Sequence, residues 1–543
     1  MNKIKSSIYI LIVSVALSSC NKFLDTSSSN QRTLNNYYTS YEDCRSATAG
    51  LYNIVWYNFS SQFYFSAGDG RGNNLFTPYS SAESFGRLTE TIETPLLTDA
   101  WNSLYTVVTQ SDYVVNNVDN ALKNNVAQKD VNACKAEARF MRGVAYWYIG
   151  SAWGNAPIVE DPIAVVKTTL VKPNPFEDVL QYSIRDLEYA ALWLPASDTK
   201  GRVTKYSALG MLSRLYITAA CYARGNKFSS RWTKSSQDYY TLALNAAKQV
   251  CGASQYSLMT DYEQLFRVQN NNNSESLFSL QFVPGSSLYG VGNRNQDWLA
   301  YNTALTDGLT AYGGNTFISG ELINLMFNRG ELKRQKATYF YNGATYDYLG
   351  AATAAGTWSV TGTNVVRYPN VKKHVVGGKK DTDGMAINGN SGLAAPMLRL
   401  AEVYLLYVES ILGTQQTTSD PEALKYFNLV RVRAGMPTVS SVSLADIWDE
   451  RRVELALEGQ FWYDMVRRAY WDQDWVLNYM NNQHRSQYYY YLSGSAPTGF
   501  AWRTQTDGQV QNTATPDRLL FPYPATELIL NPYLKDAPIP FNF

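Results

Sequence analysis

The chain has 543 residues, of which 17% are charged, and its formal net charge at neutral pH is +1. A charge so close to zero gives no electrostatic attraction to a phosphate backbone, which argues against a nucleic-acid-binding protein. Aromatic residues make up 14% of the sequence, with 41 Tyr and 13 Trp. Because Tyr and Trp combine an apolar ring with a polar tip, this surplus favours a protein with a wet binding surface.

The N-terminus has the pattern of a secretory signal. Lys3 and Lys5 precede an apolar run at positions 8–17. This run is too short to cross a bilayer, which takes about 20 apolar residues, but it fits the short apolar region of a signal peptide. We therefore predict that residues 1–19 form a signal peptide that is removed from the mature protein.

The signal ends in LSSC, which resembles a bacterial lipobox, so we predict cleavage before Cys20 and lipidation of its thiol. Acyl chains on this cysteine would hold a soluble body on a membrane. Asn21 follows the cysteine in place of the Asp that retains lipoproteins at the inner membrane, which favours the outer membrane. Residues 20–45 then form a lipid-anchored leash, and residues 46–543 a single body.

Helical patterns dominate that body. In KYSALGMLSRLYITAACYA, apolar residues recur every three to four positions on one face, and DYYTLALNAAKQVCGA and MLRLAEVYLLYVESILG repeat the pattern. Asp420 and Pro421 are residue types that begin helices, and Gly435 is a residue type that follows the end of one. Ser443 and Asp446 have the spacing of a capping box. We predict a mainly α fold of helical hairpins similar to tetratricopeptide repeats.

A row of carboxylates follows the capping box. Glu450, Glu454 and Glu458 lie one turn apart beside Arg451 and Arg452. The row has two interpretations, a catalytic carboxylate set or an ion-paired helix, and the neighbouring arginines favour the second.

Cysteine and histidine give no sign of metal or nucleophilic chemistry. None of the cysteines forms a CxxC pair, and the two histidines, His374 and His484, lack metal-ligand spacing. We predict buried free thiols at Cys44, Cys134, Cys221 and Cys251. The segment DTDGMAINGN offers Asp381, Asp383 and Asn388 to Ca²⁺, but it lacks the full EF-hand loop pattern.

Two segments differ from the helical body, at about 57–95 and 283–395. Both are rich in Gly, Asn and Thr, with scattered aromatics and short β-like runs such as SLFSLQF and NVVRY. Loops carried on a rigid helical frame commonly hold the functional residues. We therefore predict that these two insertions form the ligand-facing surface.

The chain resembles the SusD/RagB group of outer-membrane nutrient-binding lipoproteins of Bacteroidetes. The resemblance spans nearly the whole chain, in the order of that family. The strings that carry it are CNKFLD, ATAGLYN, KAEARFMRGVAYWYIGSAWGNAPIV, RVTKYSALGMLSRLYI, NSESLFSLQF, MLRLAEVYLLYVES, FNLVRVRAGMP, IWDERRVELALEGQFWYDMVR and LLFPYPATELILNP.

This resemblance implies an α-helical body with tetratricopeptide-like hairpins. It also implies a partner, a SusC-like TonB-dependent outer-membrane barrel, over which the lipoprotein acts as a lid that delivers an oligomeric nutrient. The implied activity is binding and not catalysis. Members of the group bind glycans or peptides, and the aromatic loops favour a glycan, with a peptide as the alternative.

A glycan site needs exposed aromatic planes for the C–H faces of sugar rings, ringed by Asn, Asp, Gln and Arg for the hydroxyls. The loops GDGRGNN, NRNQDWLAYN and AAGTWSVTGT supply both, and the glycines of the first allow close backbone approach. A second interpretation has these residues packing the loops onto the body. The predicted glycan-binding residues are Trp298, Trp358, Asp69, Arg71, Asn73, Asn74, Asn295, Asp297 and Tyr301.

The remaining aromatics have other expected positions, and two other functions fit the sequence less well. Tryptophans in helical motifs are expected in the core, and the tract at 488–491 could stack on a sugar or face the barrel. Two rivals to nutrient binding are a glycosidase with two carboxylates that meet only in space, and a lipoprotein that stabilises a barrel without binding nutrient. The core tryptophans are Trp101, Trp147, Trp153, Trp193 and Trp462.

Overall fold

The structure is a computed structural model. It describes residues 37–77, 82–284, 290–295, 299, 316–341, 344–349, 358–359, 369–377, 381, 390–485, 488–492, 500–504 and 512–543. All structural statements below concern these ranges.

Helices make up most of the described chain, which confirms the predicted mainly α fold. They are α1 (Tyr41–Ala49), α2 (Glu83–Arg87), α3 (Pro95–Asn117), α4 (Gln128–Trp153), α5 (Pro162–Lys167), α6 (Phe176–Trp193), α7 (Lys205–Arg224), α8 (Ser236–Cys251), α9 (Gly320–Arg329), α10 (Leu332–Thr338), α11 (Leu400–Leu412), α12 (Pro421–Arg433), α13 (Leu444–Glu454), α14 (Phe461–Ala469), α15 (Gln473–Asn481) and α16 (Ala525–Leu530).

The long helices form a continuous array of pairs. Helix α3 packs on α4, α4 on α6, α6 on α7, α7 on α8, α8 on α11 and α11 on α12. Small residues permit this close packing: a Cβ at Gly143 of α4 would lie 3.1 Å from the carbonyl oxygen of Ser183 in α6. Pairing of each helix with the next is the arrangement that the periodic apolar faces predict.

The predicted helix boundaries hold where a capping residue defines them. The Asp420 side chain accepts hydrogen bonds from the N–H groups of Glu422 and Ala423, at the start of α12. Ser443 and Asp446 form the reciprocal bonds of a capping box at the start of α13. Gly435, just beyond α12, has a φ of +81°, a conformation that favours glycine.

Strands are short and pair in two-stranded antiparallel ladders throughout the described ranges. They are β1 (Leu75–Phe76) with β3 (Phe317–Ile318), β2 (Ser276–Leu280) with β6 (Ala395–Arg399), β4 (Thr345–Tyr346) with β5 (Trp358–Ser359), β7 (Thr417–Thr418) with β8 (Val442–Ser443), and β9 (Tyr488–Leu492) with β10 (Phe500–Thr504). The predicted run SLFSLQF contains β2, whereas NVVRY lies outside the described residues.

The core confirms most of the burial predictions. Cys44, Cys134 and Cys221 are buried and Cys251 is half-buried, all as free thiols. Four of the five predicted core tryptophans are buried, but Trp193 at the end of α6 is 37% exposed, so that prediction was wrong. None of the helices in the described ranges combines the length and apolar character needed to cross a bilayer.

Candidate functional site

The GDGRGNN loop lies inside the protein, not on a ligand surface. Asp69 is fully buried in a turn of π-helix, Ser66–Gly70. Its carboxylate accepts hydrogen bonds from Asn74 Nδ2 at 3.0 Å and from the backbone N–H groups of Leu457 and Gly459 at 2.9 and 2.8 Å. Burial raises the pKa of Asp69 to about 6, although these hydrogen bonds act to lower it.

The glycines of this loop serve another segment of the chain. A Cβ on Gly68 would lie 2.2 Å from the carbonyl carbon of Gly459. The sequence predicted that the missing side chain makes room for a ligand. The structure shows instead that it makes room for the backbone that follows α13. This correction follows from burial: no saccharide reaches a backbone that is already covered by protein.

Arg71 and Asn74 are also committed to internal contacts. Arg71 forms an ion pair with Glu90, and its guanidinium lies 4.5 Å from the centre of the Trp462 ring. Asn74 Oδ1 accepts a hydrogen bond from Arg452 Nε at 2.9 Å. The structure therefore contradicts the prediction that Asp69, Arg71 and Asn74 contact a glycan, because each is buried and paired.

Asn73 differs from its three neighbours, although it too is buried. Its carbonyl oxygen accepts from Ser319 Oγ at 2.6 Å and from Arg452 Nη2 at 3.0 Å. Its side chain lies at the wall of a pocket that opens to the surface. Of the four residues in this loop, Asn73 alone stays a candidate for ligand contact.

The second insertion holds the other predicted residues. Asp297, Trp298 and Tyr301 lie outside the described residues, and Trp358 is described only through its backbone, which pairs with Tyr346 in the β4–β5 ladder. Their role in glycan binding stays a prediction. Asn295 is 5% exposed, and its backbone N–H donates to Asn293 Oδ1 at 2.9 Å. A buried Asn295 is placed to shape its loop, which the structure favours over ligand contact.

A strand of the first insertion pairs with a strand of the second. Strand β1 belongs to the first insertion and β3 to the second, and they pair with Phe76 opposite Phe317. Phe317 also bridges Asn370, farther along the second insertion. The ends of several loops are thereby held at one place on the helical body, as expected if the loops act together.

A pocket with an empty volume of about 370 Å³ lies at this junction. We call it the loop-root pocket, and its polar lining includes Asn73, Thr77, Arg87, Ser319, His484 and Arg485.

Arg485 is the residue of this pocket that sequence reasoning missed. It is buried, its Nη2 donates to Gln483 Oε1 at 2.7 Å, and it makes no ion pair within the described chain. Burial and the nearby guanidinium groups of Arg71 and Arg452 lower the pKa of Arg485 to about 9. The signal in the sequence was a His-Arg dipeptide between an Asn-rich segment and the tyrosine tract at 488–491.

The carboxylate row is ion-paired, as predicted, but with other partners. Glu454 accepts from Arg334 at 2.8 Å and Arg399 at 2.6 Å, and it also pairs with Arg433. Burial alone would raise the pKa of Glu454, but these three guanidinium groups hold it well below its usual value. A carboxylate fixed in this way is unsuited to general acid catalysis.

Glu458 lies beyond the end of α13 and is equally enclosed. It pairs with Lys373 and Arg399, both at 2.7 Å. Arg451, which the sequence placed beside these glutamates, pairs instead with Asp464 at 2.8 Å.

Of the three residues that could be offered to Ca²⁺, Asp381 alone lies inside the described ranges. Its carboxylate is buried and pairs with Arg267 at 2.7 Å, so its charge is already neutralised. It also accepts from the N–H of Gly377 at 2.8 Å. Asp383 and Asn388 lie outside the described residues.

Two family models match the chain. The first, described as the SusD family, matches residues 215–539, and the second, described as "starch-binding associating with outer membrane", matches residues 22–217. A SusD-like protein of Bacteroides ovatus is 33% identical over 560 aligned residues, which span 99% of each chain. The starch-binding protein SusD of Bacteroides thetaiotaomicron is 26% identical over 187 residues, covering 34% of this chain and 27% of that protein.

Solved structures agree with the sequence matches. A crystal structure obtained with a xylogluco-oligosaccharide superposes with a TM-score of 0.82 at 33% identity, covering 92% of this chain and 99% of the other. Both the sequence over its full length and the fold therefore place the chain in one family. The chain belongs to the SusD family of carbohydrate-binding proteins.

Proposed function

We propose that this protein binds an oligosaccharide through the loops of its two insertions. The observation that carries the proposal is the β1–β3 ladder, which joins the two insertions beside the loop-root pocket. Loops that start from one rigid place can present their side chains to a single extended ligand. Trp298 and Trp358 are the proposed stacking residues, with Asp297, Tyr301 and Asn73 as hydrogen-bonding partners.

A glycan is favoured over a peptide as the ligand. The relative whose structure was solved with a xylogluco-oligosaccharide shares 33% identity with this chain over nearly its whole length. A peptide lid would use an open strand edge to bind backbone groups, whereas the aromatic loops suit the faces of sugar rings.

We further propose that the protein is tethered at the outer membrane by lipid on Cys20 and closes over a SusC-like TonB-dependent barrel. The lipobox-like LSSC and the match to a family model described as associating with the outer membrane support the location. In this role, affinity must be moderate, because the ligand has to pass from the lid into the transporter.

Three measurements test the ligand, the lipid tether and the partner separately. Isothermal titration of the purified protein with neutral oligosaccharides and with mixed peptides should give heat for a saccharide only. Binding of peptides alone would overturn the glycan assignment. For the tether, Cys20→Ala should release the protein from the membrane fraction, and a barrel should co-purify with the wild type. Unchanged membrane retention in Cys20→Ala would contradict the lipid anchor.

A further inference from the structure

A second, larger groove lies between α9, α13 and α15. Its empty volume is about 1070 Å³, and Gln483 lines it, whereas the next two residues, His484 and Arg485, line the loop-root pocket. Helices α13 and α15 belong to the helical body, whereas α9 lies within the second insertion. We call it the asparagine groove, lined by Asn324, Asn328, Asn478, Asn482, Trp475 and Tyr479.

The four asparagines form two pairs that line the same groove. Asn324 and Asn328 lie one turn apart on α9, and Asn478 and Asn482 lie one turn apart at the end of α15. All four are exposed, and no side-chain hydrogen bond ties any of them to the described chain. Asn is a poorer helix former than Ala, so helix stability does not explain four of them in these positions.

Two further polar side chains of the groove, Gln483 and Asp449, have hydrogen-bonding atoms without a partner in the described chain. Gln483 is 7% exposed; its Oε1 accepts from Arg485, but its Nε2 has no hydrogen-bond partner in the described protein. Asp449 is half-buried, and its carboxylate makes no hydrogen bond or ion pair with a described residue. Since buried polar groups are nearly always satisfied, the Nε2 of Gln483 indicates a polar occupant, and Asp449 offers that occupant a further acceptor.

An aromatic pair forms one wall of the groove. The rings of Trp475 and Tyr479 stack with centroids 5.0 Å apart and planes 12° apart. The Arg468 guanidinium lies 3.2 Å from the centre of the Trp475 ring, and Arg452 Nη1 donates to the Tyr479 hydroxyl at 2.6 Å. The pair is therefore held in place before any ligand arrives, which lowers the entropic cost of binding.

The charges of the groove do not favour an anionic ligand. Arg452 is engaged by Asn74, by the carbonyl of Asn73 and by Tyr479. Glu321 accepts a hydrogen bond from the N–H of His484 at 3.0 Å. Because Arg452 is already engaged and the carboxylates of Glu321 and Asp449 lie in the wall, an anionic ligand would be repelled.

We infer that the asparagine groove is a second binding site for a neutral oligosaccharide. Each carboxamide carries one acceptor and two donors, and so can bond a pair of neighbouring hydroxyl groups. The Trp475–Tyr479 wall suits the apolar C–H groups of a sugar. Its ligand class rests on the proposed function, but its lining residues differ from those proposed for the loop site.

The test is calorimetry of the full-length protein with a xylogluco-oligosaccharide as probe. The wild type should show two sites. Asn324→Ala with Asn478→Ala should remove or weaken one site by about tenfold or more, since each lost hydrogen bond weakens binding several-fold. The melting temperature of this variant should be unchanged or higher. Asn245→Ala, an exposed asparagine on α8, is the matched control and should retain both sites.

The outcomes separate the groove from the loops. If Trp298→Ala with Trp358→Ala removes all binding and the groove variant changes nothing, the groove inference is overturned and the loop site stands. Binding that survives in the loop variant and disappears in the groove variant supports the groove and overturns the loop assignment. Absence of binding by the wild type to any neutral saccharide would contradict both.

Discussion

The Nζ atom of Lys373 lies 2.7 Å from Oε1 of Glu458, and both side chains are buried. Lys373 belongs to the second insertion, while Glu458 follows α13 in the body. The same ammonium group donates to the carbonyl of Ala456 at 2.7 Å and the hydroxyl of Tyr262 at 2.9 Å. This set of bonds fastens the second insertion to the helical frame.

Removing the anchor should destabilise the protein. We expect Glu458→Ala to lower the free energy of unfolding by about 3–5 kcal/mol, because Lys373 and Arg399 would be left as buried charges without this partner. Urea denaturation measures the loss. The control is Glu422→Gln, which breaks an exposed pair with Lys425 at 3.6 Å and should cost less than about 1 kcal/mol. Equal losses in the two variants would contradict the anchoring role.

His374 should make stability depend on pH. Its imidazole is buried between the rings of Phe65 and Phe266, and its Nε2 lies 2.7 Å from the carbonyl oxygen of Leu457. Burial, reinforced by the charge of Lys373, lowers the pKa of His374 from 6.5 to about 4. The unfolded chain then binds the proton more readily, so this contribution to stability is present above pH 6.5 and is lost as pH falls towards 4.

The size of the effect follows from the two pKa values. The gap between 6.5 and about 4 corresponds to about 3 kcal/mol. Asp69 and Asp112 act in the opposite direction, since burial raises their pKa values to about 6 and about 7. We therefore compare the wild type with His374→Asn, whose loss of stability between pH 7 and pH 4.5 should be smaller by about 2 kcal/mol or more. Parallel pH profiles would disprove the assignment.

Gly68 should not tolerate a side chain. Because a Cβ there would lie 2.2 Å from the backbone of Gly459, Gly68→Ala forces two segments apart and should cost about 2 kcal/mol or more. Gly50→Ala is the matched control, since a Cβ at that position meets nothing within 4 Å and its φ is −64°. It should be neutral or slightly stabilising. Thermal unfolding distinguishes the two, and a stable Gly68→Ala variant would contradict the close approach.

The loop tryptophans should matter for binding and not for folding. Trp298→Ala with Trp358→Ala should weaken oligosaccharide affinity by about tenfold or more, since one stacking contact contributes about 0.5–1.5 kcal/mol beyond its buried area. Trp193→Ala, which removes an exposed tryptophan from the end of α6, should leave affinity unchanged. Calorimetry measures both, and unchanged affinity in the double variant would remove both loop tryptophans from the site.

Local chemistry made much of the helical frame predictable. Asp420 and Ser443 satisfy the first free N–H groups of their helices through bonds that span only two or three residues. Such bonds can be read from sequence because both partners are close along the chain. The apolar faces of the helices are likewise periodic, and they indicate hairpins before any contact between helices is known.

Contacts between segments far apart in the sequence decided which polar residues are buried. Asp69 and Arg71 have the residue types of a ligand loop, yet Asp69 bonds to backbone N–H groups of Leu457 and Gly459, almost 400 residues away. Glu458 has the spacing of a helical ion pair, yet its partner Lys373 comes from an insertion. The sequence by itself determined the helices, their caps and the resemblance to a carbohydrate-binding family. Only the tertiary structure decided which polar residues are buried, because a side chain is withdrawn from ligand when distant segments cover it, and no local pattern records that.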